Sequence, residues 1–179
     1  MRIIAGSRKG ARIAAPKGVS TRPTGDRVRE AAFNLIGPVD GAAVLDVFAG
    51  SGALGLEALS RGAARAVFVE SDPAACRAVN ANLDKLRLTG ATVLCQDALL
   101  ALRQERAAGR RYDLVLVDPP YEAFEETLQM RLSELLPPVL ADVGLLVVET
   151  AAKVEPAVPL ELVTSRRYGA ARLTLYRHP

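Results

Sequence analysis

The stretch that most constrains this chain is Ala43-Val44-Leu45-Asp46-Val47-Phe48, which runs into Ala49-Gly50-Ser51-Gly52-Ala53-Leu54-Gly55. An apolar run with β-branched residues, then closely spaced glycines, then Leu56-Glu57-Ala58-Leu59, reads as buried strand, tight turn and helix. A strand apolar on both faces needs parallel neighbours and helices on either side. The chain supplies them in alternation. Strands are expected at Ala66–Glu70, Ala91–Cys95, Tyr112–Val117 and Gly144–Glu149. Helices are expected from Asp72-Pro73 to about Leu86, from Gln96-Asp97-Ala98 onwards, and from about Phe124 to Leu136. That alternation predicts an α/β doubly wound, Rossmann-like sheet. Leu160–Ser165 and Arg172–Tyr176 are joined only by Arg166-Arg167-Tyr168-Gly169, too short a link for a helix, so they must pair antiparallel.

Before Ala43 the character changes. Arg2-Ile3-Ile4-Ala5 and Ala11-Arg12-Ile13-Ala14 flank the glycine-bounded Gly6-Ser7-Arg8-Lys9-Gly10, which predicts a short hairpin with cations at its tip. A Pro- and Gly-rich link follows from Pro16 to Gly25, and then a helix from about Asp26. Val28, Ala31, Ala32, Leu35 and Ile36 form its apolar stripe, with Arg27, Arg29, Glu30 and Asn34 on other faces, Thr24 or Asp26 as cap and Gly37-Pro38 as stop. The overall charge of +3 hides an asymmetry: residues 1–36 hold eight Lys and Arg against two acids, so this part is +6 and the remainder −3. A basic arm on a mildly acidic body suits a polyanion. Arg8, Lys9, Arg22, Thr24, Arg27 and Arg29 are the residues expected to meet phosphates, several of them around a helix N-terminus.

Composition excludes several chemistries. At 179 residues and 50% hydrophobic, the chain makes one domain with an ample core. The start carries Arg2, Arg8 and Lys9 without an apolar core behind them, so no signal peptide is expected. Leu135 to Val148 is broken by Pro137, Pro138 and Asp142, which argues against a transmembrane span. Cys76 and Cys95, outside any CxxC spacing, are expected to be reduced, buried thiols of a cytoplasmic protein. The sole histidine, His178, argues against a Ser-His-Asp triad, a His-based metal site or imidazole base chemistry.

Two features carry chemistry. The first is Asp118-Pro119-Pro120-Tyr121, at the end of an apolar strand in an expected parallel sheet. The prolines stop the strand, and the lip they form presents a carboxylate, a carbonyl and an aromatic ring where open α/β sheets bind ligands. That set suits a planar group bearing an NH2. The second is the Gly50–Gly55 loop with Glu70 twenty residues beyond Gly50, a spacing shared by dinucleotide and S-adenosylmethionine sites. Asp46 lies inside the strand and points a carboxylate towards the loop, which opposes a pyrophosphate and suits a cationic ligand. S-adenosylmethionine is therefore the expected cofactor, with a nicotinamide cofactor as the other reading. Glu70 would accept from its ribose and Asp97 from its adenine amino group.

Asp46-Val-Phe-Ala-Gly-Ser-Gly-Ala-Leu-Gly-Leu-Glu-Ala-Leu, Glu70, Asp97-Ala98 and Asp118-Pro-Pro-Tyr121 together resemble a class I S-adenosylmethionine-dependent methyltransferase acting on an exocyclic amine. Met1-Arg-Ile-Ile-Ala-Gly6, Thr21-Arg-Pro-Thr24 and Asp26-Arg-Val-Arg-Glu-Ala-Ala-Phe-Asn34 narrow the likeness to the RsmD family, as does Arg167-Tyr-Gly169. The early loop lacks the aromatic residue expected there. The resemblance implies a seven-stranded, mostly parallel sheet with an antiparallel last strand, plus the N-terminal hairpin and helix as an extension over residues 1–36 and a catalytic core over 43–179. It implies methylation of N2 of one guanine in 16S rRNA of the small ribosomal subunit or its assembly intermediate, by a cytoplasmic monomer without metal. The implied cofactor residues are Asp46, Phe48, Ala49, Gly50, Ser51, Gly52, Glu70, Ser71, Asp97 and Ala98. Asp118, Pro119, Pro120 and Tyr121 would be catalytic, with Tyr121 stacked on the extruded base. DNA adenine or cytosine amino-methyltransferases share the lip but usually carry a recognition domain, for which 179 residues leave no room.

Overall fold

The computed structural model describes residues 1–15 and 25–179, with every side chain among them but that of Tyr121. Its strands are β1 (Ala43–Val47), β2 (Arg65–Glu70), β3 (Ala91–Cys95), β4 (Tyr112–Val117), β5 (Leu140–Ala151), β6 (Glu161–Tyr168) and β7 (Ala171–Arg177). They form one seven-stranded sheet in the order β3-β2-β1-β4-β5-β7-β6. β1 to β5 pair in parallel, and β7 runs antiparallel to both β5 and β6. The helices are α1 (Asp26–Ile36), α2 (Ala53–Ser60), α3 (Pro73–Leu86), α4 (Ala98–Ala107) and α5 (Glu126–Leu135).

The two-residue period of the strands divides the core in two. Val44, Ala66, Phe68, Leu114 and Leu116 face Phe33 of α1, Leu56 of α2 and Val79 of α3, together with Ile3 and Ile13 of the N-terminal arm. Leu45, Val47, Val67, Val69, Val115 and Val117 face Leu102 of α4 and Leu132 and Leu135 of α5. The order reverses beside β1, where β2 and β3 lie to one side and β4 to the other, which puts the switch point, the usual ligand position in open α/β sheets, at the carboxyl ends of β1 and β4.

Several boundaries differ from expectation for identifiable reasons. The N-terminal hairpin is reduced to one antiparallel bridge, Arg2 with Arg12, and a 3-10 turn over Gly6–Arg8. The backbone N–H groups of Ile4, Ala5 and Arg8 donate to side chains of α2 instead of across a ladder. α1 begins after Gly25, which offers no side-chain cap, while the Asp26 carboxylate is taken by Arg29; Thr24 lies outside the described residues. α5 starts at Glu126, because Glu125 before it is extended (φ −81°, ψ 166°), and it follows a separate 3-10 turn at Tyr121–Ala123. β5 begins at Leu140, directly after a 3-10 turn at Pro137–Val139, with a register shift against β4 between Tyr112 and Leu114. β6 continues through Tyr168, because Arg166, Arg167 and Tyr168 pair with Leu173, Arg172 and Ala171; only Gly169 (φ 61°) and Ala170 make the turn.

The cysteines also depart from expectation. Cys76 and Cys95 form a disulfide with their Cα atoms 5.9 Å apart, and Cys95 is exposed. Pairing of β3 with β2 puts Cys95 beside Glu70, and the first turn of α3 brings Cys76 back over the same strand end.

Candidate active site

An acid stands in or just beyond each of four neighbouring strands. Asp46 lies within β1, Glu70 ends β2, Asp97 follows β3 by two residues, and Asp118 follows β4 directly. Three of them interact electrostatically at the switch point. Asp46 is 1% exposed, and its carboxyl is pushed up from 3.8 to about 7. Burial is the main cause; the Gly55 N–H opposes it by donating to Oδ2 at 2.9 Å, and the charges of Asp118 and Glu70 add to the rise. Burial, aided by the two neighbouring acids, thus favours the neutral form of Asp46, and a cation beside it would favour the carboxylate.

The glycine loop fits around these acids. Gly52, the N-cap of α2, is left-handed at φ 79°. At Gly55 a Cβ would fall 2.3 Å from the Phe68 ring and 3.0 Å from Asp46 Oδ2, so only glycine lets α2 come this close to β1 and β2. Phe48 also adopts a positive φ of 64°, unusual for a bulky residue, at the point where the chain leaves β1. Ala49 is tied back by its N–H to the Val69 carbonyl at 3.0 Å. Glu70 is aimed by two backbone donors, the Gly50 N–H at 2.8 Å and the Asp72 N–H at 2.9 Å, and next to it Ser71 is exposed. One Asp97 oxygen caps α4 by accepting from the Leu100 N–H at 3.0 Å; the residue is exposed, and Ala98 is buried behind it. The cofactor residues expected from sequence are therefore contiguous in space, along the carboxyl edge of β1, β2 and β3.

The lip adjoins them. The Asp118 N–H reaches the Val47 carbonyl at 3.3 Å, which fixes the first residue of the lip to the end of β1. Asp118 is half-buried, Pro119 buried and Pro120 exposed. The Pro120 carbonyl accepts from the Ala123 N–H at 2.9 Å, closing the turn that carries Tyr121.

The basic arm needs correction. Arg29, expected on an outer face of α1, is fully buried, between Asp26 at 2.9 Å and Glu57 at 3.6 Å, with a further hydrogen bond to the Arg2 carbonyl. A charge so placed holds the fold and cannot meet a phosphate. Arg8 is half-buried and donates to the Leu86 and Arg87 carbonyls, closing the C-terminus of α3. Arg22 and Thr24 lie outside the described residues. Lys9 and Arg27 remain exposed, and with Arg2, Asp26 and Glu30 they border an open groove of about 280 Å³.

Sequence reasoning missed how the arm is held. Glu57, fully buried on α2, accepts from the Ile4 and Ala5 N–H groups at 2.8 and 2.9 Å and pairs with Arg61 at 2.8 Å as well as with Arg29. Asn82 of α3 is 1% exposed; its Oδ1 accepts from the Ala14 N–H at 2.8 Å, and its Nδ2 donates to the carbonyls of Ala14 and Ser51 at 3.0 and 3.1 Å. One carboxamide therefore joins the arm to the glycine loop. Ser51 also reaches Met1 Sδ at 3.9 Å. The available signal was Glu57 itself: a single acid in the otherwise apolar run Ala53–Leu59 is a charge that must be paired if that helix is buried.

The chain is similar to several known proteins. A family model described as "Conserved hypothetical protein 95" matches residues 1–177. The Bacillus subtilis protein YlbH is 41% identical over 183 residues, spanning 99% of this chain and 98% of its own. The Ribosomal RNA small subunit methyltransferase D of Escherichia coli is 44% identical over 133 residues, 73% of this chain and 66% of its own. The solved structure of the Escherichia coli protein yhhF superposes with a TM-score of 0.87 at 39% identity, covering 99% of this chain and 97% of that one. With a match along nearly its whole length, the chain belongs to the RsmD family, which its motifs resemble.

Proposed function

We propose that this protein methylates the exocyclic N2 of one guanine in small-subunit 16S rRNA, using S-adenosyl-L-methionine. The observation that carries the reading is the meeting of Asp46, Glu70 and Asp118 beside the glycine loop, whose Gly50 N–H donates to Glu70 at 2.8 Å. This is a cradle for a cationic, phosphate-free cofactor beside an acceptor for an amine. The names of relatives such as the Escherichia coli enzyme supply the substrate class.

When bound, S-adenosylmethionine supplies a methyl carbon already activated by its sulfonium. Asp46 and the loop Phe48 to Gly52 would hold its charged end, Glu70 and Ser71 its ribose, and Asp97 with Ala98 its adenine. The chain's task is then to present the amine in line with the methyl group. Asp118 accepts from one N–H and the Pro119 carbonyl from the other, drawing the nitrogen lone pair out of conjugation. The Asp118 carboxylate would also stabilise the positive charge that grows on nitrogen as it bonds to the methyl carbon and the methyl–sulfur bond breaks, the surplus N–H proton then leaving to Asp118 or to water. Pro120 stiffens the lip, and the aromatic residue at 121 stacks on the extruded base.

Residues 1–36 serve as the RNA-contacting extension of the 43–179 core, with Lys9 and Arg27 at its exposed groove. The enzyme acts in the cytoplasm as a monomer on the small subunit or an assembly intermediate. The test is transfer of labelled methyl to ribosomal RNA from cells lacking this protein, followed by nucleoside analysis. Label in N2-methylguanosine is expected. Label in another nucleoside, or none with either naked RNA or assembled subunits, overturns the reading. Asp118→Ala should lower turnover by roughly 10²–10³-fold with cofactor affinity unchanged.

A further inference from the structure

We propose that a groove between α4 and α5, on the sheet face opposite the arm, grips the phosphate backbone of a second segment of the RNA, apart from the segment that carries the target guanine; this rests on the RNA reading above. Arg103 and Arg106 lie three residues apart on α4 and so share a face, and Arg131 comes across from α5. With Ala107, Glu134 and Leu135 they line a cavity of about 390 Å³. All three arginines are exposed, and none forms an ion pair with a described residue. Nearby cations on this side of the molecule are differently placed: Arg110 is taken by Glu105 at 2.7 Å and Arg111 by Asp142. Glu134 is the single carboxylate in the lining, so three guanidiniums repel one another around a groove wide enough to admit an anion.

Phosphodiester is the anion that fits. Guanidinium forks match its two free oxygens, and a nucleic-acid backbone offers several such groups in series. Glu122, Glu125 and Glu126, all exposed, follow the lip in the chain and lead into the first turn of α5, ahead of Arg131, so an RNA strand laid continuously along this path would meet like charge. The groove therefore takes RNA that returns to the protein after leaving the active site, as a folded substrate can and a short hairpin cannot.

The test compares Arg103→Gln/Arg106→Gln/Arg131→Gln with wild type in binding two labelled RNAs across a salt series. One is a folded transcript of the small-subunit rRNA domain, the other a short hairpin holding the target guanine. Three lost phosphate contacts should weaken the folded transcript about tenfold or more and flatten its log–log salt slope by about 2–3. Affinities for the short hairpin and for S-adenosylmethionine should stay at the wild-type values. Unchanged binding of the folded transcript, or an equal loss on the hairpin, overturns the proposal. Failure of wild type to bind either RNA would instead overturn the RNA reading itself, and this one with it.

Discussion

Replacing Asp46 with Asn removes a carboxyl that the fold holds at about 7 and leaves an acceptor for the Gly55 N–H. The folded protein binds this proton more tightly than the unfolded chain does. Wild-type stability from this group therefore falls as pH rises from about 4 to about 7 and levels off above. At ~1.4 kcal/mol per tenfold change in proton affinity, the burden is about 2 kcal/mol at pH 5 and about 4 kcal/mol at pH 8. The variant escapes it, so its advantage over wild type should grow by about 2–3 kcal/mol between those two pH values. Urea unfolding of both proteins at each pH measures this, with a midpoint difference on the order of 1 M at pH 8. The same substitution should weaken S-adenosylmethionine binding at least tenfold, and wild-type affinity should rise with pH through about 7, as the cofactor's charge favours the ionised carboxylate. A stability difference that does not change with pH, or a variant less stable than wild type at pH 8, refutes the account of Asp46 as a buried charge kept for a cationic ligand.

Glu57→Gln strips the buried Arg29 of a counter-charge and turns an amide donor towards the Ile4 or Ala5 N–H, so a loss of about 3–5 kcal/mol is expected in denaturant titration. Asn82→Ala leaves backbone groups of Ala14 without their side-chain partner and should cost about 1–3 kcal/mol, with faster amide exchange at Ala14 and weaker cofactor binding through Ser51. Neutralising Lys9 and Arg27 together should raise the KM for RNA and reduce its salt dependence by about 2 log units per log unit of salt, without moving kcat.

How legible the molecule was in its sequence depended on how local each cause is. β3 and β4 begin and end where their apolar runs do, and Asp72 caps α3 with Pro73 in its first turn, as the local pattern requires. The acids at the strand ends could be read because the strand that carries each one also places it. Arg29 could not: the helical period of α1 says only that it is off the main stripe, and its burial depends on Glu57, twenty-eight residues later in another helix. The same holds for the disulfide, since Cys76 and Cys95 meet only when β3 settles beside β2. In sequence the arm reads as a basic extension of the core. Ile3 and Ile13, at 1% and 5% exposure, place it inside that core, so truncation would expose Glu57 and Arg29 as well as remove cations.

The docking of this arm also has a consequence for the order of folding. Met1 to Ala14 is synthesised before its partners, Glu57, Ser60, Asn82 and Lys85, and it lies 52 to 73 residues from the side chains that receive it. While β1, α2, β2 and α3 assemble, Ile3 and Ile13 have nowhere to go and Glu57 lacks the backbone donors of Ile4 and Ala5. The side chains that receive the arm are in place only once α2 and α3 have docked on the strands, so its closure is a late event. A refolding experiment should accordingly show the strands gathering first and the amides of Ile4 and Ala5 gaining protection last, at the same moment that the buried carboxylate of Glu57 loses its water.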